Sequence, residues 1–368
     1  MRFSKIIMYL LIFAVLLPTG CAQIDLIQQD SIPDDTEMIL TALPDEMNST
    51  ILSEDESTNT HSGTEISENN IQRLAVIAQS ALPGAIKAGW NLSNSALNVI
   101  TVRQSFQLHY PELSTLSTTS WQEDVIIYDL ASDGSLIALS NDMQTIELFD
   151  INSAQTVNVI VPDTMVNSAS FSPDNTNLLV TSLDEIAATE YSVSSGEIQN
   201  TFRGFEFAGP VYDAFYAPLT NDIIWYSRGS VQVQNRQTNE LSPFFSHEDF
   251  ANSIALTPDG NTFAVSTAMT VDEDFSPGIQ LWNRATGESI GFIQTSQLVK
   301  DLAFTLDGTA LLGSEGIYLK AWSMKSLNEI ASFSGHNDTI SFVSLSPDGA
   351  HILTGSFDNS IILWGLTP

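Results

Sequence analysis

The residues best suited to do chemistry in this chain are a histidine, a serine and an aspartate near its C-terminus. His336, Ser356 and Asp358 are the residue types of a catalytic triad, in which an acid orients a histidine that activates a serine. Part of this set recurs along the chain, because His247 precedes a Pro-Asp-Gly motif by the same distance as His336 does. A constellation that repeats once per unit serves the unit itself. We therefore interpret it as structural and predict a protein that is not an enzyme.

Other catalytic and cofactor motifs do not occur in the sequence. It has no glycine-rich phosphate loop, no His-Glu-x-x-His motif, no nucleophile elbow and no metal-like spacing of His or Cys. The five histidines are scattered, and the single cysteine, Cys21, excludes an intrachain disulfide. We predict no cofactor and no bound metal.

The charge balance excludes one large class of partners. The 368 residues include 44 Asp and Glu but only 12 Lys and Arg, for a formal net charge of −32. An acidic surface repels phosphate backbones, so we predict no nucleic-acid partner. A basic partner or a loosely held divalent cation is compatible with this charge, and the simpler interpretation is a surface that keeps an exported protein soluble.

A repeat of about forty residues organises the chain. Seven short apolar runs carry a marker residue at a regular spacing, with intervals of 40, 42, 42, 49, 40 and 42 residues, which indicates seven units. The markers are His109, Phe149, Tyr191, Val233, Trp282, Trp322 and Trp364. Most units also contain a turn motif such as Ser346-Pro347-Asp348-Gly349, which predicts short strands joined by tight turns.

The last unit carries the signature of a known family. It contains Gly335-His336 and Trp364, although Gly365 stands where the family has an aspartate. On these residues and the repeat, residues 71–368 resemble the WD-repeat family. The resemblance implies an all-β, seven-bladed β-propeller built from four-stranded antiparallel blades.

The resemblance also implies a structural role for the marked residues. In the family a His, a Ser or Thr, an Asp and a Trp form a hydrogen-bonded chain. In blade seven these would be His336, Ser356 (or Thr354), Asp358 and Trp364, and in blade five His247, Thr267 and Trp282. Propellers of this family commonly close by adding an N-terminal strand to the last blade, and residues 71–78 are the candidate here.

The N-terminus is typical of an exported protein. Arg2 and Lys5 precede twelve apolar residues, so residues 1–21 are predicted to be a signal peptide. Cys21 follows directly, and this resembles a bacterial lipoprotein signal that would anchor the chain by lipid to the outer face of a membrane, periplasmic or cell-surface. Pro18 departs from the preferred leucine, and the alternative is cleavage to a soluble secreted protein. Residues 22–70 are predicted to form an acidic, disordered tether.

The 49-residue interval contains the least generic segment. We predict a long turn over residues 268–278 in blade five, with Asp272, Glu273, Asp274 and Phe275 as a partner-binding patch. A weak Ca²⁺ site and a solvated length variation are the alternatives. Phe205 and Phe207, between blades three and four, either add apolar contact or pack between the blades.

Together these features predict a monomeric, exported propeller that acts as a scaffold for a protein or peptide partner at the cell envelope. Two alternatives remain open at this point. One is a hydrolase that acts on an envelope or extracellular polymer through the central pocket, which clustered carboxylates there would favour. The other is an accessory protein that senses a small ligand or a cation.

Overall fold

The structure is a computed structural model. It describes residues 64–91, 95–101, 103–121, 125–182, 187–203, 213–217, 220, 222–227, 230–243, 245–246, 251–271 and 274–367. The chain separates into two units, Met1–Asn59 and Thr60–Pro368, and every described residue belongs to the second. Cys21 and the predicted signal peptide lie outside the described residues.

Short strands follow one another because β-branched and aromatic residues alternate with polar ones between regularly spaced turns. The strands are β1 (Leu74–Ala81), β2 (Ala85–Asn91), β3 (Ala96–Thr101), β4 (Gln104–His109), β5 (Thr115–Ser120), β6 (Ile126–Leu130), β7 (Leu136–Ser140), β8 (Ile146–Asp150), β9 (Gln155–Ile160), β10 (Val166–Phe171), β11 (Asn177–Ser182), β12 (Ala188–Ser192), β13 (Ile198–Phe202), β14 (Asp213–Tyr216), β15 (Ile223–Ser227), β16 (Ser230–Gln234), β17 (Phe245–Ser246), β18 (Ser253–Leu256), β19 (Thr262–Val271), β20 (Asp274–Asn283), β21 (Ser289–Gln294), β22 (Val299–Phe304), β23 (Ala310–Glu315), β24 (Tyr318–Ser323), β25 (Glu329–Ser334), β26 (Ile340–Leu345), β27 (His351–Ser356) and β28 (Ser360–Leu366).

These strands form seven four-stranded antiparallel sheets, which confirms the predicted all-β, seven-bladed propeller. Blade one is β2–β5, and blades two to six follow in groups of four up to β22–β25. Blade seven joins β26, β27 and β28 to β1. The first strands of neighbouring blades contact one another, so they surround the central channel. Every predicted marker residue lies in a third strand, from His109 in β4 to Trp364 in β28.

The turns between first and second strands explain the repeated Pro-Asp-Gly motif. In four of them the aspartate accepts a hydrogen bond of 2.6–2.7 Å from a Ser or Thr hydroxyl two residues earlier; the donor–acceptor pairs are Ser172–Asp174, Thr257–Asp259, Thr305–Asp307 and Ser346–Asp348. The next residue has a positive φ, for example 68° at Gly349 and 58° at Asn175. Gly and Asn tolerate this conformation best, which is why they follow the aspartate.

Antiparallel pairing divides the turns between two faces of the propeller. Turns that join first to second strands, such as residues 346–349, lie at one end of the channel, which we call the first-turn face. Turns that join second to third strands, such as residues 356–360, lie at the opposite end, the second-turn face. Each channel mouth is therefore bordered by a different set of turns.

The ring closes through β1, as the sequence predicts. β1 pairs with β28 from Leu74 opposite Leu366 to Ala81 opposite Ser360. The strand lies three residues later than the predicted 71–78, because Ile71–Arg73 form a short 3-10 helix that buries Ile71. The backbone N–H of Thr367 donates to the carbonyl of Arg73 at 3.0 Å and fixes the start of the pairing.

Residues 64–70, which the sequence analysis assigns to the tether, also pack on the propeller. Ile66 is fully buried against a cluster that includes Ile340 and Trp364, and its N–H donates to the carbonyl of Gly349 at 2.9 Å. The Glu68 N–H donates to the hydroxyl of Thr309 in blade six at 3.0 Å. This segment therefore joins blades six and seven before the closing strand begins.

Removal of the closing strand should destabilise the whole ring. A chain that begins at Leu82 leaves blade seven with three strands and an unpaired edge, whereas one that begins at Thr60 keeps every described contact. We expect the longer chain to unfold in urea in one cooperative transition and the shorter one to aggregate or to lose cooperativity, as followed by tryptophan fluorescence. Ile71→Ala in the longer chain should cost about 2–5 kcal/mol. Equal urea midpoints for the two chains would contradict this account.

Candidate functional site

Blade seven contains a continuous chain of buried hydrogen bonds. Trp364 Nε1–H donates to Thr354 Oγ1 at 2.9 Å, and Thr354 Oγ1 lies 2.8 Å from His336 Nε2. Because Thr354 accepts from the indole, its own hydrogen is available for His336 Nε2. The proton of the neutral imidazole then sits on Nδ1, which lies 3.1 Å from Asp358 Oδ2.

These hydrogen bonds hold the segment that leads into blade seven against the turn at residues 356–360, on the second-turn face. Asp358 also accepts the backbone N–H of Asn337 at 2.7 Å, so the carboxylate holds the segment that follows His336. Burial lowers the pKa of His336 and outweighs the opposing effect of Asp358. Burial alone would raise the pKa of Asp358, but hydrogen bonds from Ser360, Asn337 and His336 hold it below its usual value. His336 is thus buried with both ring nitrogens engaged inside blade seven.

The hydroxyl that takes part in this series of hydrogen bonds belongs to Thr354. Ser356 does not take part in it. Ser356 instead donates to the carbonyl of Asp338 at 2.8 Å. Both residues point to the same face of β27, since they are two positions apart. The sequence therefore left the choice between them open. The strand register decides it, because Thr354 pairs with Ile362, only two residues before Trp364, and Ser356 lies two positions further along β27.

Blade five has a different residue at the position of Thr354. Two residues before Trp282, Gln280 pairs with Val265, so a valine occupies the position of Thr354. Thr267 is buried two residues further along, opposite Gly278. His247 lies outside the described residues. Thr267 therefore stands two residues after the equivalent of Thr354, as Ser356 does in blade seven.

The seams between blades use the few basic residues of this acidic chain. Lys87 in blade one pairs with Asp129 in blade two. Arg236 follows β16 and pairs with Glu190 of blade three at 2.7 Å, and Arg284 of blade five pairs with Asp222 of blade four at 2.5 Å. The sequence analysis did not identify these pairs, because their members lie 42 to 62 residues apart.

Three carboxylates from first strands face the channel, which is the feature that the hydrolase alternative would require. Asp129 Oδ2 accepts the N–H of Phe171 in blade three at 2.8 Å, in addition to its bond with Lys87. Asp301 Oδ2 accepts the N–H of Val343 in blade seven at 2.8 Å. Each of these two carboxylates therefore joins its own blade to the next.

The third channel carboxylate, Asp213, has a different environment. It accepts hydrogen bonds from Ser168 of blade three and from its neighbour's backbone N–H, and Tyr226 lies at 3.5 Å. Burial raises the pKa of Asp213 to about 6, against the opposing effect of these donors. Burial likewise raises the pKa of Asp301 to about 6, against hydrogen bonds from Val343, Leu302 and Ser253.

The channel widens into a cavity at each mouth. The larger cavity, about 680 Å³, lies on the first-turn face and is lined by residues from all seven blades, among them Trp90, Tyr128, Asp129, Asp213 and Phe215. The smaller, about 330 Å³, lies on the second-turn face beside Lys87, Lys300 and Asp301. Drug-sized ligands occupy cavities of the larger size.

The extra residues of blade five lengthen a hairpin, and the predicted long turn over residues 268–278 is wrong. β19 and β20 pair from Thr267 opposite Gly278 to Val271 opposite Asp274. Antiparallel strands can absorb an insertion by adding pairs on both sides, which keeps the register. Asp272, Glu273, Phe205 and Phe207 lie outside the described residues, as do the side chains of Asp274 and Phe275.

In residues 64–367, apart from the gaps given above, no group of three His, Cys, Asp or Glu side chains is placed to hold a metal ion. No helix in the same ranges is long and apolar enough to cross a membrane.

The last repeat of the sequence matches a known protein family. Residues 327–365 match the family described as WD domain, G-beta repeat. This segment runs from the end of blade six through the third strand of blade seven, and it contains His336, Thr354, Asp358 and Trp364.

Several eukaryotic proteins are similar to part of this chain. The anaphase-promoting complex subunit cdh1 of Dictyostelium discoideum is 29% identical over 131 residues, 35% of this chain and 17% of the relative. The B-type cell cycle switch protein ccs52B of Medicago truncatula is 27% identical over 151 residues, 40% and 29% of the two chains. Cell division cycle 20.5, cofactor of APC complex, of Arabidopsis thaliana is 27% identical over 146 residues, 39% and 31%. The chain thus spans less than a third of these relatives.

The Thr354 hydroxyl should contribute more to the free energy of unfolding than an ordinary surface contact does. Thr354→Val keeps the shape of the side chain but leaves Trp364 Nε1–H and His336 Nε2 buried without this partner. We expect a loss of about 2–4 kcal/mol in the free energy of unfolding. Thr354→Ser retains the hydroxyl and should lose clearly less. Urea titrations of the two variants test this, and equal losses would show that the hydroxyl does not matter.

The channel carboxylate Asp301 should make stability depend on pH. Its pKa rises from 3.8 to about 6 on folding, so between these values the folded chain binds more protons at this group than the unfolded chain. The cost of the buried carboxylate, at most about 3 kcal/mol, is fully present above pH 6 and is relieved as the pH falls through 6.

Asp301→Asn removes this titration. We therefore expect the melting temperature of the wild type, relative to that of the variant, to be higher at pH 5 than at pH 7.5, by scanning calorimetry of both proteins. The comparison cancels the titration of all other groups. A difference that does not change with pH would contradict the assignment.

Proposed function

We propose that this seven-bladed propeller, whose last repeat is a WD repeat, is a non-catalytic platform that binds a protein or peptide partner on its second-turn face. The observation that carries the proposal is the lengthened β19–β20 hairpin of blade five. It extends the sheet at that face by four residue pairs beyond Thr267 and Gly278, or about 13 Å of strand.

The hairpin extension leaves the blade and offers backbone groups to a partner. β21 pairs with β20 only as far as Gly278, and β18 pairs with β19 only as far as Ser266. Within the described part of the chain, the strand pairs beyond those points join the two hairpin strands to each other alone. The Thr295 N–H also donates to the Pro277 carbonyl at 3.0 Å, so the edge of β20 is open only beyond Pro277. An extended segment can pair with such strand edges by backbone hydrogen bonding, a common mode of peptide recognition.

The names of the relatives agree with a role in protein assemblies. The Dictyostelium protein is named as a subunit of a multiprotein complex, and the Arabidopsis protein as a cofactor of that complex. We carry over only the general role, binding to other proteins, and not their particular complex.

The channel carboxylates fit this proposal as structural residues. Asp129 and Asp301 each accept a backbone N–H from the following blade, and Asp129 also pairs with Lys87. A hydrolase would need at least two carboxyl groups aimed at one substrate, with one of them free to transfer a proton. The interblade hydrogen bonds explain these two residues without a reaction.

We further propose that the chain is exported and anchored in a bacterial envelope by a lipid on Cys21, and that it acts there as a monomer. This part of the proposal rests on the sequence: the basic residues Arg2 and Lys5, the apolar run that follows and the position of the single cysteine. The acidic segment after Cys21 would hold the propeller away from the membrane surface.

The hairpin extension can be removed without changing the rest of blade five. Replacement of residues 268–277 by Asn-Gly closes the strands at Thr267 and Gly278 with a two-residue turn. Val271 and Thr267 are four positions apart, so this closing pair is of the same type as the natural one. We expect the trimmed protein to melt within a few degrees of the wild type and to lose its partner in affinity capture of the tagged full-length chain from its native envelope.

A matched control removes the same charge from the opposite face. Glu197, Glu240 and Glu288 are exposed at equivalent positions in turns between third and fourth strands, and their replacement by Ser removes three charges, as many as Asp272, Glu273 and Asp274 carry. A protein that is retained by the control and lost from the trimmed variant supports the proposal. A partner retained by all three proteins would show that the hairpin is not the binding element. Failure to retain any protein would count against a binding platform.

A further inference from the structure

The cavity on the first-turn face carries an unbalanced negative charge. Among the described residues, the side chains with a formal charge that line its 680 Å³ are Lys87, Asp129 and Asp213. Lys87 is bonded to Asp129, so these two neutralise each other. Asp213 remains, and the cavity has a net charge of one negative unit.

Among the described residues, the hydrogen-bond donors to Asp213 are neutral groups. Its hydrogen-bond partners are the Ser168 hydroxyl, the Ala214 N–H and the Tyr226 hydroxyl. A carboxylate that is enclosed by protein and lacks a counterion costs free energy, and a cation placed beside it would recover part of that cost.

Aromatic side chains in the same cavity suit the apolar part of an organic cation. Phe215 lies two residues after Asp213 on β14 and therefore faces the same side of the strand. Tyr128 and the buried Trp90 also line the cavity. Aromatic rings attract ammonium and guanidinium groups and pack against the hydrocarbon attached to them.

A metal ion fits this cavity less well than an organic cation does. No group of three His, Cys, Asp or Glu side chains in the described ranges is placed to hold a metal, and Ca²⁺ or Mg²⁺ prefers several oxygen ligands. One carboxylate among aromatic rings matches a single positive charge on an apolar body.

We propose that the first-turn cavity binds an organic cation, a primary ammonium or guanidinium group on an aromatic or aliphatic body. The charged group would bind Asp213, and the body would pack against Phe215 and Tyr128. Such a group occurs in free amines and in the Lys or Arg side chains of peptides. The site lies at the opposite end of the channel from the β19–β20 hairpin, so it is independent of the partner proposed above.

Calorimetric titration of the full-length protein with phenethylamine tests whether binding requires a positive charge on the ligand. 2-Phenylethanol, a neutral compound of the same shape, is the control. We expect the amine to bind at least tenfold more tightly than the alcohol. Binding of the amine should weaken about tenfold from pH 7.5 to pH 5, because a carboxyl group with a pKa of about 6 is about nine-tenths protonated at pH 5.

Two variants distinguish this site from the acidic surface and from the other channel mouth. Asp213→Asn keeps an acceptor for Ser168 and Ala214 and should fold, which its melting temperature checks; it should bind the amine at least tenfold more weakly and without the pH dependence. Asp301→Asn changes the carboxylate that lines the smaller cavity and should leave amine binding unchanged. Equal binding of amine and alcohol, or equal binding to wild type and Asp213→Asn, would overturn the proposal.

A pair of capped peptides identifies the source of the cation. One peptide contains Phe-Lys, and the other contains Phe followed by Nε-acetyl-lysine. Binding of the first peptide alone, lost in Asp213→Asn, points to a basic side chain of a polypeptide. Binding of phenethylamine without either peptide points to a free amine. No binding of phenethylamine or of the lysine peptide at millimolar concentration would overturn the proposal.

Discussion

The pairing of β1 with β28 is the interaction on which the rest of the structure depends. It joins residues 74–81 to residues 360–366 and supplies blade seven with its fourth strand. On the other side of that blade, Trp90 Nε1–H of blade one donates to Ser344 at 2.8 Å. A ring of blades that contact only their neighbours needs both links, because each blade buries one face against the next. Blade seven also holds the Trp364–Thr354–His336–Asp358 chain, so the best-connected blade is the one assembled from both parts of the chain.

Polar groups tie the other seams in spite of the shortage of basic residues. The pairs Lys87–Asp129, Arg236–Glu190 and Arg284–Asp222 use three of the twelve Lys and Arg residues. Hydrogen bonds from the Phe171 N–H to Asp129, from the Ser253 hydroxyl to Asp301 and from the Val343 N–H to Asp301 join further pairs of neighbouring blades. The channel is therefore lined by carboxylates whose main task is to hold blades together. Asp213 also joins two blades, because it accepts a hydrogen bond from Ser168 of blade three, and it faces the larger cavity.

The two faces of the propeller have different chemistry. The second-turn face carries the β19–β20 hairpin, whose backbone edges suit an extended polypeptide. The first-turn face carries a cavity with aromatic walls and one unbalanced carboxylate, which suits a small cationic group. Since the two features lie at opposite ends of the channel, a partner and a ligand can be bound at the same time.

The sequence by itself determined the number of blades, the third strands, the first-turn motifs and the closing strand, because these follow from a repeat and from turn residues that act locally. It also grouped His336, Asp358 and Trp364, which hydrogen bonds join through Thr354. Only the tertiary structure decided between Thr354 and Ser356 and turned the predicted loop at 268–278 into a hairpin. The same holds for the seam pairs and the cavity at Asp213. Each of these depends on which residues stand opposite one another across a sheet or between blades, and a distance of forty or more residues along the chain does not reveal that.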